Sequence, residues 1–407
     1  MDFRSTLLGL VLLLALVIGG SSVAGLPTTF TLQLLCLPLL LLLGQSGSDR
    51  NYSGPVLALL GAAGILLTVQ LLPITALLGG PVISGDIGRA PLALTADWNR
   101  TFETLLFFWP VATFFLVLGR LDEDEFNRLL AFFLLGLIVN MAFALVQFAA
   151  SSSILGGFLP YPTAAGFFAN QNHFAALLFV GIPFVVYQFV AIRRPVLSLA
   201  VVALMVFVGF ATRSVAGAFL SLGCAAASYA MIANMRPAFR GLLLGAAVVG
   251  ALVLATNPNN VLEIDPDNPL DRTGIWRNSV EGTIGHLPLG SGFGTFEIVY
   301  PAFEEEADIT ASFVNHAHNE YLELVMEGGL PALAALLCYF ALLARAAFTG
   351  MAALLQRAAF CGLVFLLIHS LVDYPLRTMA MALVFALLNA IVFSPIWQRP
   401  PSAPTDR

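Results

Sequence analysis

Apolar stretches long enough to cross a membrane recur along the whole chain, and they decide most of what it can fold into. A spanning helix needs about 20 mostly apolar residues, with a range of about 17–25. In hydrocarbon its backbone must also hydrogen-bond to itself. Such stretches fall near residues 6–25, 29–45, 55–75, 103–119, 129–150, 172–192, 196–211, 214–233, 239–256, 330–346, 355–371 and 377–396. Charged residues make up only 10% of the chain, against about 25% in soluble proteins. The expected fold is all-α: a polytopic membrane helical bundle of about 12 transmembrane helices, with the lipid bilayer as its constant partner. The net charge of -6 says little, because most acids cluster in two stretches, and nucleic acid is not expected as a partner. Met1–Gly25 has the outline of a secretory signal, but its apolar run can span and no A-x-A site follows, so it is expected to stay as the first helix. Cys36, Cys224, Cys338 and Cys361 all sit in apolar runs, where thiols behave as small hydrophobes. Neither a disulfide nor a metal site is expected from them.

Orientation follows from the arginines, since the chain has no lysine. With the N-terminus inside, twelve arginines fall in inner segments. Six fall outside: Arg89, Arg100, Arg213, Arg272, Arg277 and Arg377. This fits the excess of positive charge on cytoplasmic loops and singles out six arginines that topology does not explain. The same arrangement puts His173, His286, His316, His318 and His369 in or beside outer segments. Four regions result: transmembrane helices over 1–256, a large outer loop over 257–329, transmembrane helices over 330–396 and a tail over 397–407. The loop is the only part expected to build a small subdomain with short helices. LDEDEF, 121–126, reads as a solvated connector and the Pro-rich tail as disordered.

The chemistry concentrates in NHAHNEYLELVMEGGL, Asn315–Leu330. Asn319 is a good N-cap, Glu320, Glu323 and Glu327 share one helix face, and Gly328-Gly329 stops the helix before Pro331 opens the next span. A histidine beside a helix N-terminus feels its positive end, which disfavours imidazolium. His318 is therefore a candidate general base, with Glu320 a carboxylate able to orient it. The plain alternative is a loop histidine making a structural hydrogen bond; a metal held by His316, His318 and Glu320 is a weaker one. Arg213, in ATRSVAG between two apolar helices, is costly at membrane depth without a partner or a wet cavity. With Arg272, Arg277 and Arg377 it supplies guanidinium forks suited to phosphate. Pairing of Arg272 with Asp271 or Asp267, and of Arg377 with Asp373, would explain them equally. HLPLGSGFGTF, His286–Phe296, is either a tight turn or a backbone anion cradle. FFANQNH, Phe167–His173, brings Asn172 and other amides to a cavity or merely caps a helix. Gln70, Asn140 and Gln147 are the few polar residues read as mid-span. No Walker or G-x-S-x-G motif is present.

In order and spacing, His318-Asn319 with Gly329 downstream, TRSVAG, FFANQNH, DRTGIW with HLPLGSGFG, and HSLVDYPL together resemble the O-antigen ligase and O-antigen polymerase superfamily of bacterial inner membranes. The motifs cover about 160–396. Ala332 and the altered Ser-Arg-Gly in TRSVAG depart from the family pattern. The resemblance implies a multi-pass inner-membrane protein with both termini cytoplasmic and its site periplasmic. It implies metal-independent, inverting glycosyl transfer without a cofactor. The donor would be an undecaprenyl-pyrophosphate-linked glycan, and the acceptor a glycan, a lipid A-core or a protein. His318 would activate the acceptor hydroxyl, Arg213 and Arg272 would hold the pyrophosphate, and Asp373 matches an acid of the last outer turn. A polymerase of the same superfamily differs only in its acceptor. A transporter or flippase of lipid-linked glycans is the rival of another class, and it predicts an ionisable group deep in the bundle.

Overall fold

The computed structural model describes residues 3–23, 25–44, 51–72, 94–149, 165–212, 214–233, 272–304 and 313–398. Among them the chain is helical. The helices are α1 (Phe3–Ile18), α2 (Pro27–Leu43), α3 (Gly54–Leu71), α4 (Trp98–Leu118), α5 (Glu123–Ala149), α6 (Gln171–Ala191), α7 (Pro195–Ala211) and α8 (Val215–Ile232). They continue with α9 (Arg272–Gly285), α10 (Phe296–Val299), α11 (Glu320–Thr349), α12 (Leu354–His369) and α13 (Met379–Phe393). Seven of these are long and apolar enough to cross a membrane, and α1, α2, α7 and α12 are shorter apolar helices. Eleven of the twelve stretches read from sequence coincide with a helix. The stretch at 239–256 lies outside the described residues, as do Arg213, Arg89, Asp267, Asp271 and the tail from Arg399.

Helix α6 is the axis of the bundle. Its residues from Asn172 to Val186 are all buried, packed among α5, α7, α8 and α12. Small residues let backbones approach within lipid, where apolar surface alone supplies no driving force between helices. At Gly217 of α8, a Cβ would stand 2.3 Å from that of Ala175. The acidic run at 121–126 does more than connect. The Asp122 N–H donates to Glu125 and the Glu125 N–H to Asp122, both at 2.8 Å, a reciprocal cap on α5.

Several helix ends meet at one end of the bundle. Gly20, just beyond α1, bridges to Phe168, and the Ala380 N–H of α13 donates to Gly19 O. The Glu320 N–H at the start of α11 donates to Ser370 O beyond α12. The amides Gln70, Asn140 and Gln147 sit near this end and clip loops to it. Asn140 Oδ1 accepts from Phe167 N, Gln147 Oε1 from Gly166 N, and Gln70 Oε1 from Phe293 N. Beside them α9, α10 and the start of α11 enclose a small core of their own: Ile275, Phe296, Tyr300, Val314, Ala317 and Met326.

Helix α11 is two helices joined at a kink. Gly329 has φ 62° and ψ -154°, a conformation open to glycine. A Cβ there would stand 2.2 Å from Pro288 O, and one at Gly290 2.3 Å from Glu327 O. The Gly-Gly break and the glycine-rich turn thus pack backbone to backbone. The N–H groups of Ser291 and Gly292 donate to Met326 O and Glu327 O, and Leu330 N–H donates to Pro288 O. These donors are spent on the chain itself, so the turn is structural and the anion-cradle reading fails.

Candidate active site at one end of the bundle

Among the described residues, every buried charged side chain and every buried histidine belongs to one region. These are His173, Arg272, Glu320, Glu323, Glu327, His369 and Asp373. They come from α6, α9, α11, α12 and the turn before α13. Burial of so many ionisable groups is costly unless they neutralise one another, and they do so in two adjoining clusters.

The first is centred on Asp373, whose carboxylate is fully buried. Its Oδ2 accepts from Asn172 Nδ2 at 2.5 Å and lies 3.7 Å from Arg272 Nη2. Its Oδ1 accepts the Tyr374 N–H at 2.8 Å, with His173 Nε2 at 3.4 Å and His318 Nδ1 at 3.9 Å. Both histidine contacts are too long or too poorly aligned for hydrogen bonds, and among the described residues these ring nitrogens have no hydrogen-bond partner. Burial alone would raise the Asp373 carboxyl. The His173 contact, with His318 and His369 nearby, reverses this and holds it far below the usual carboxylate range. The alternative pairing of Asp373 with Arg377 is not formed; Asp373 faces Arg272 instead.

His318 sits in the left-handed region, with φ 50°, in the turn before α11. Asn319 caps the helix as expected, its side chain accepting from Tyr321 N and Leu322 N at 3.1 Å. Burial pushes the imidazole down to about 4; Asp373 opposes that shift and Arg272 adds to it. The ring is therefore neutral at pH 7, for a different main reason than the helix dipole invoked from sequence. Its side chain remains 24% exposed. Glu320 does not orient it; Asp373 is the facing carboxylate.

The second cluster surrounds Arg377. Its Nε lies 3.2 Å from Glu320, its Nη2 3.4 Å from Glu323 and its Nη1 3.0 Å from Glu327. The acidic face of α11 is thus a socket for one guanidinium, and Arg377 points its fork at protein carboxylates. Glu323 also accepts from the Ala317 N–H and contacts His316 Nδ1, both at 2.8 Å. Tyr374 joins the clusters. Its ring packs edge-on against His173 and His318, with centroids 4.8 Å apart in each pair, and against His316 at 4.2 Å.

The structure therefore brings together Asn172, Arg272, His318, Asn319 and Asp373, and puts Arg377 in the neighbouring socket. Arg277 is exposed on α9, its Nε 3.4 Å from the side chain of the adjacent Asn278. His286 bonds its own helix at Gly282 O and takes no part. Sequence reasoning did not single out Tyr374, and it named His173 and Arg100 only among the outer histidines and arginines. The adjacency of His173 to Asn172 and of Tyr374 to Asp373 was the available signal. Among the described residues no group of His, Cys, Asp and Glu is arranged to hold a metal ion.

A multi-pass helical membrane protein with a buried His–Asp–Arg cluster under a small helical loop subdomain is the class this fold and site define. Residues 163–337 match the family model described as O-antigen ligase, which supports membership of the O-antigen ligase superfamily. The matched span contains Asn172, Arg213, Arg272, Arg277, His318 and Asn319, and it ends before Asp373 and Arg377. No curated protein matches the chain.

Proposed function

We propose that this protein transfers a glycan from a lipid-linked diphosphate, of the undecaprenyl-pyrophosphate kind, to an acceptor hydroxyl at the outer face of the bacterial inner membrane. The observation that carries this reading is the neutral His318 imidazole facing the Asp373 carboxylate, with Arg272 on the carboxylate's other oxygen. An ionised Asp373 facing Nδ1 favours the tautomer with its proton there, which leaves Nε2 as the base. The acceptor oxygen attacks the anomeric carbon, the bond from that carbon to the diphosphate oxygen breaks with inversion, and His318 takes the hydroxyl proton. Charge developing on the leaving diphosphate is met by fixed guanidiniums: Arg272, and Arg213, which lies outside the described residues. The placement of every described buried charge at one end favours this reading over a transporter, which calls for ionisable groups along its path.

The test is complementation of a deletion strain. His318→Ala is expected to abolish glycan transfer at normal protein levels, and Arg213→Lys to fail as well, because a point charge does not replace a fork. Near native transfer by His318→Ala overturns the base assignment. The surface polysaccharide of the deletion strain separates the two acceptor classes. Accumulated long lipid-linked chains indicate a ligase; single capped repeats indicate a polymerase.

A further inference from the structure

Beside the Arg377 socket lies a cavity of about 270 Å³ that the chemistry above does not use. Its walls come from the turn after α1, from α2 and α4, from the glycine-rich turn, and from the acidic face of α11. One Tyr374 ring separates it from His318, since His316 lines the cavity and packs on that ring. The volume lies just under the ~300 Å³ at which small-molecule sites begin.

Its charge decides what it can hold. The acids lining it are Glu103, Glu297, Glu323 and Glu327, against two cations, Arg100 and Arg377. Both cations already face carboxylates. Arg377 is shared among three, and Arg100 lies 3.0 Å from Glu297 and 3.8 Å from Glu103. A phosphate entering here would meet net negative charge. Hydroxyl and ammonium donors would instead meet carboxylate acceptors, among them Glu103, whose side chain is 39% exposed and whose Oε2 has no hydrogen-bond partner among the described residues. Ser21, Gln33 and Asn315 add polar atoms of both kinds, and Phe30, which is 43% exposed, adds an apolar face. Carboxylates that accept from hydroxyls, beside an aromatic face that packs on C–H bonds, form a surface suited to a pyranose.

We propose that this cavity is a sugar subsite that takes a neutral or amino-bearing hexose ring of the glycan and rejects the diphosphate. The assignment rests on the glycosyl-transfer reading for its place in a reaction, but its binding is read without turnover. The probes are D-glucose, D-galactose and D-glucosamine, with D-glucuronate and inorganic pyrophosphate as anionic controls. Binding to the purified protein in micelles is followed by saturation-transfer NMR. At least one neutral or amino sugar is expected to bind saturably, with binding at least tenfold weaker in Glu103→Gln and in Phe30→Ala. Glucuronate is expected not to bind and pyrophosphate not to compete. Absence of saturable binding across the three sugars, unchanged binding in both variants, or competition by pyrophosphate overturns the proposal. In turnover, Glu103→Gln raises the KM of the acceptor alone if the ring belongs to the acceptor, and of the donor alone if it belongs to the donor. No change in either KM also overturns it. A His318→Ala protein that still transfers glycan would sink the base assignment and leave the sugar binding intact.

Discussion

At the residue scale, the site depends on how one carboxylate is shared. Asp373 is reached by Asn172, His173, Arg272 and His318, so it fixes both the candidate base and a candidate diphosphate ligand. Neutral His318 is the active form, so transfer should be flat at neutral pH and fall only as pH drops through about 4. The Asp373 anion raises the His318 pKa, so Asp373→Asn should move that acid limb to lower pH. It should also cost about 100-fold in rate at pH 7, the low end of what general base catalysis contributes. A pH–rate profile of the purified variant checks both; an acid limb displaced upward would contradict the placement. His318 and Asn319 were legible from local signals, because an N-cap and its neighbour are defined within a few residues. The pairing of Asp373 was not. It joins α6, α9 and the turn before α13, and sequence spacing offered only Arg377, four residues away.

At the element scale, α11 shows what a sequence pattern leaves open. Glu320, Glu323 and Glu327 plainly share a face, and Gly328-Gly329 plainly breaks the helix. Nothing local says that the face is buried, or that the break is shaped to receive another turn. Burial of three carboxylates is tolerable only because Arg377 sits among them, within 3.0–3.4 Å of each. Removing one partner of a buried ionic network costs about 3–5 kcal/mol. Arg377→Gln should therefore unfold at clearly lower temperature in micelles than the native protein, with a comparable loss of folded yield. An unchanged transition would mean that the socket contributes nothing to stability. The glycine-rich turn carries the same lesson: its composition suited either an anion or a close backbone approach, and only the contact with Gly329 decides.

At the scale of the whole molecule, the apolar spacing carried most of the fold. Eleven of the stretches read as spans coincide with helices, because a spanning helix is defined by its own composition and needs little help from its neighbours. The common end reached by those helices is also the end that the arginine count assigned to the outside. The protein should thus show opposite accessibility at its two ends. In protein without its four native cysteines, Phe313→Cys, at a 72% exposed position near the site, should react with a membrane-impermeant maleimide applied to spheroplasts. Phe348→Cys, at a 91% exposed position at the far end of α11, should react only after lysis. The reverse pattern would put the site on the cytoplasmic side.

The central claim is that an uncharged His318, set against Asp373 and the arginines, removes the acceptor's proton. The most direct measurement is single-turnover transfer by purified His318→Ala, with the donor complex formed beforehand so that binding and chemistry are read separately. The predicted result is donor bound as tightly as by the native protein, with the transfer step slowed about 10²–10⁴-fold. Transfer at the native rate from a normally formed donor complex would contradict it.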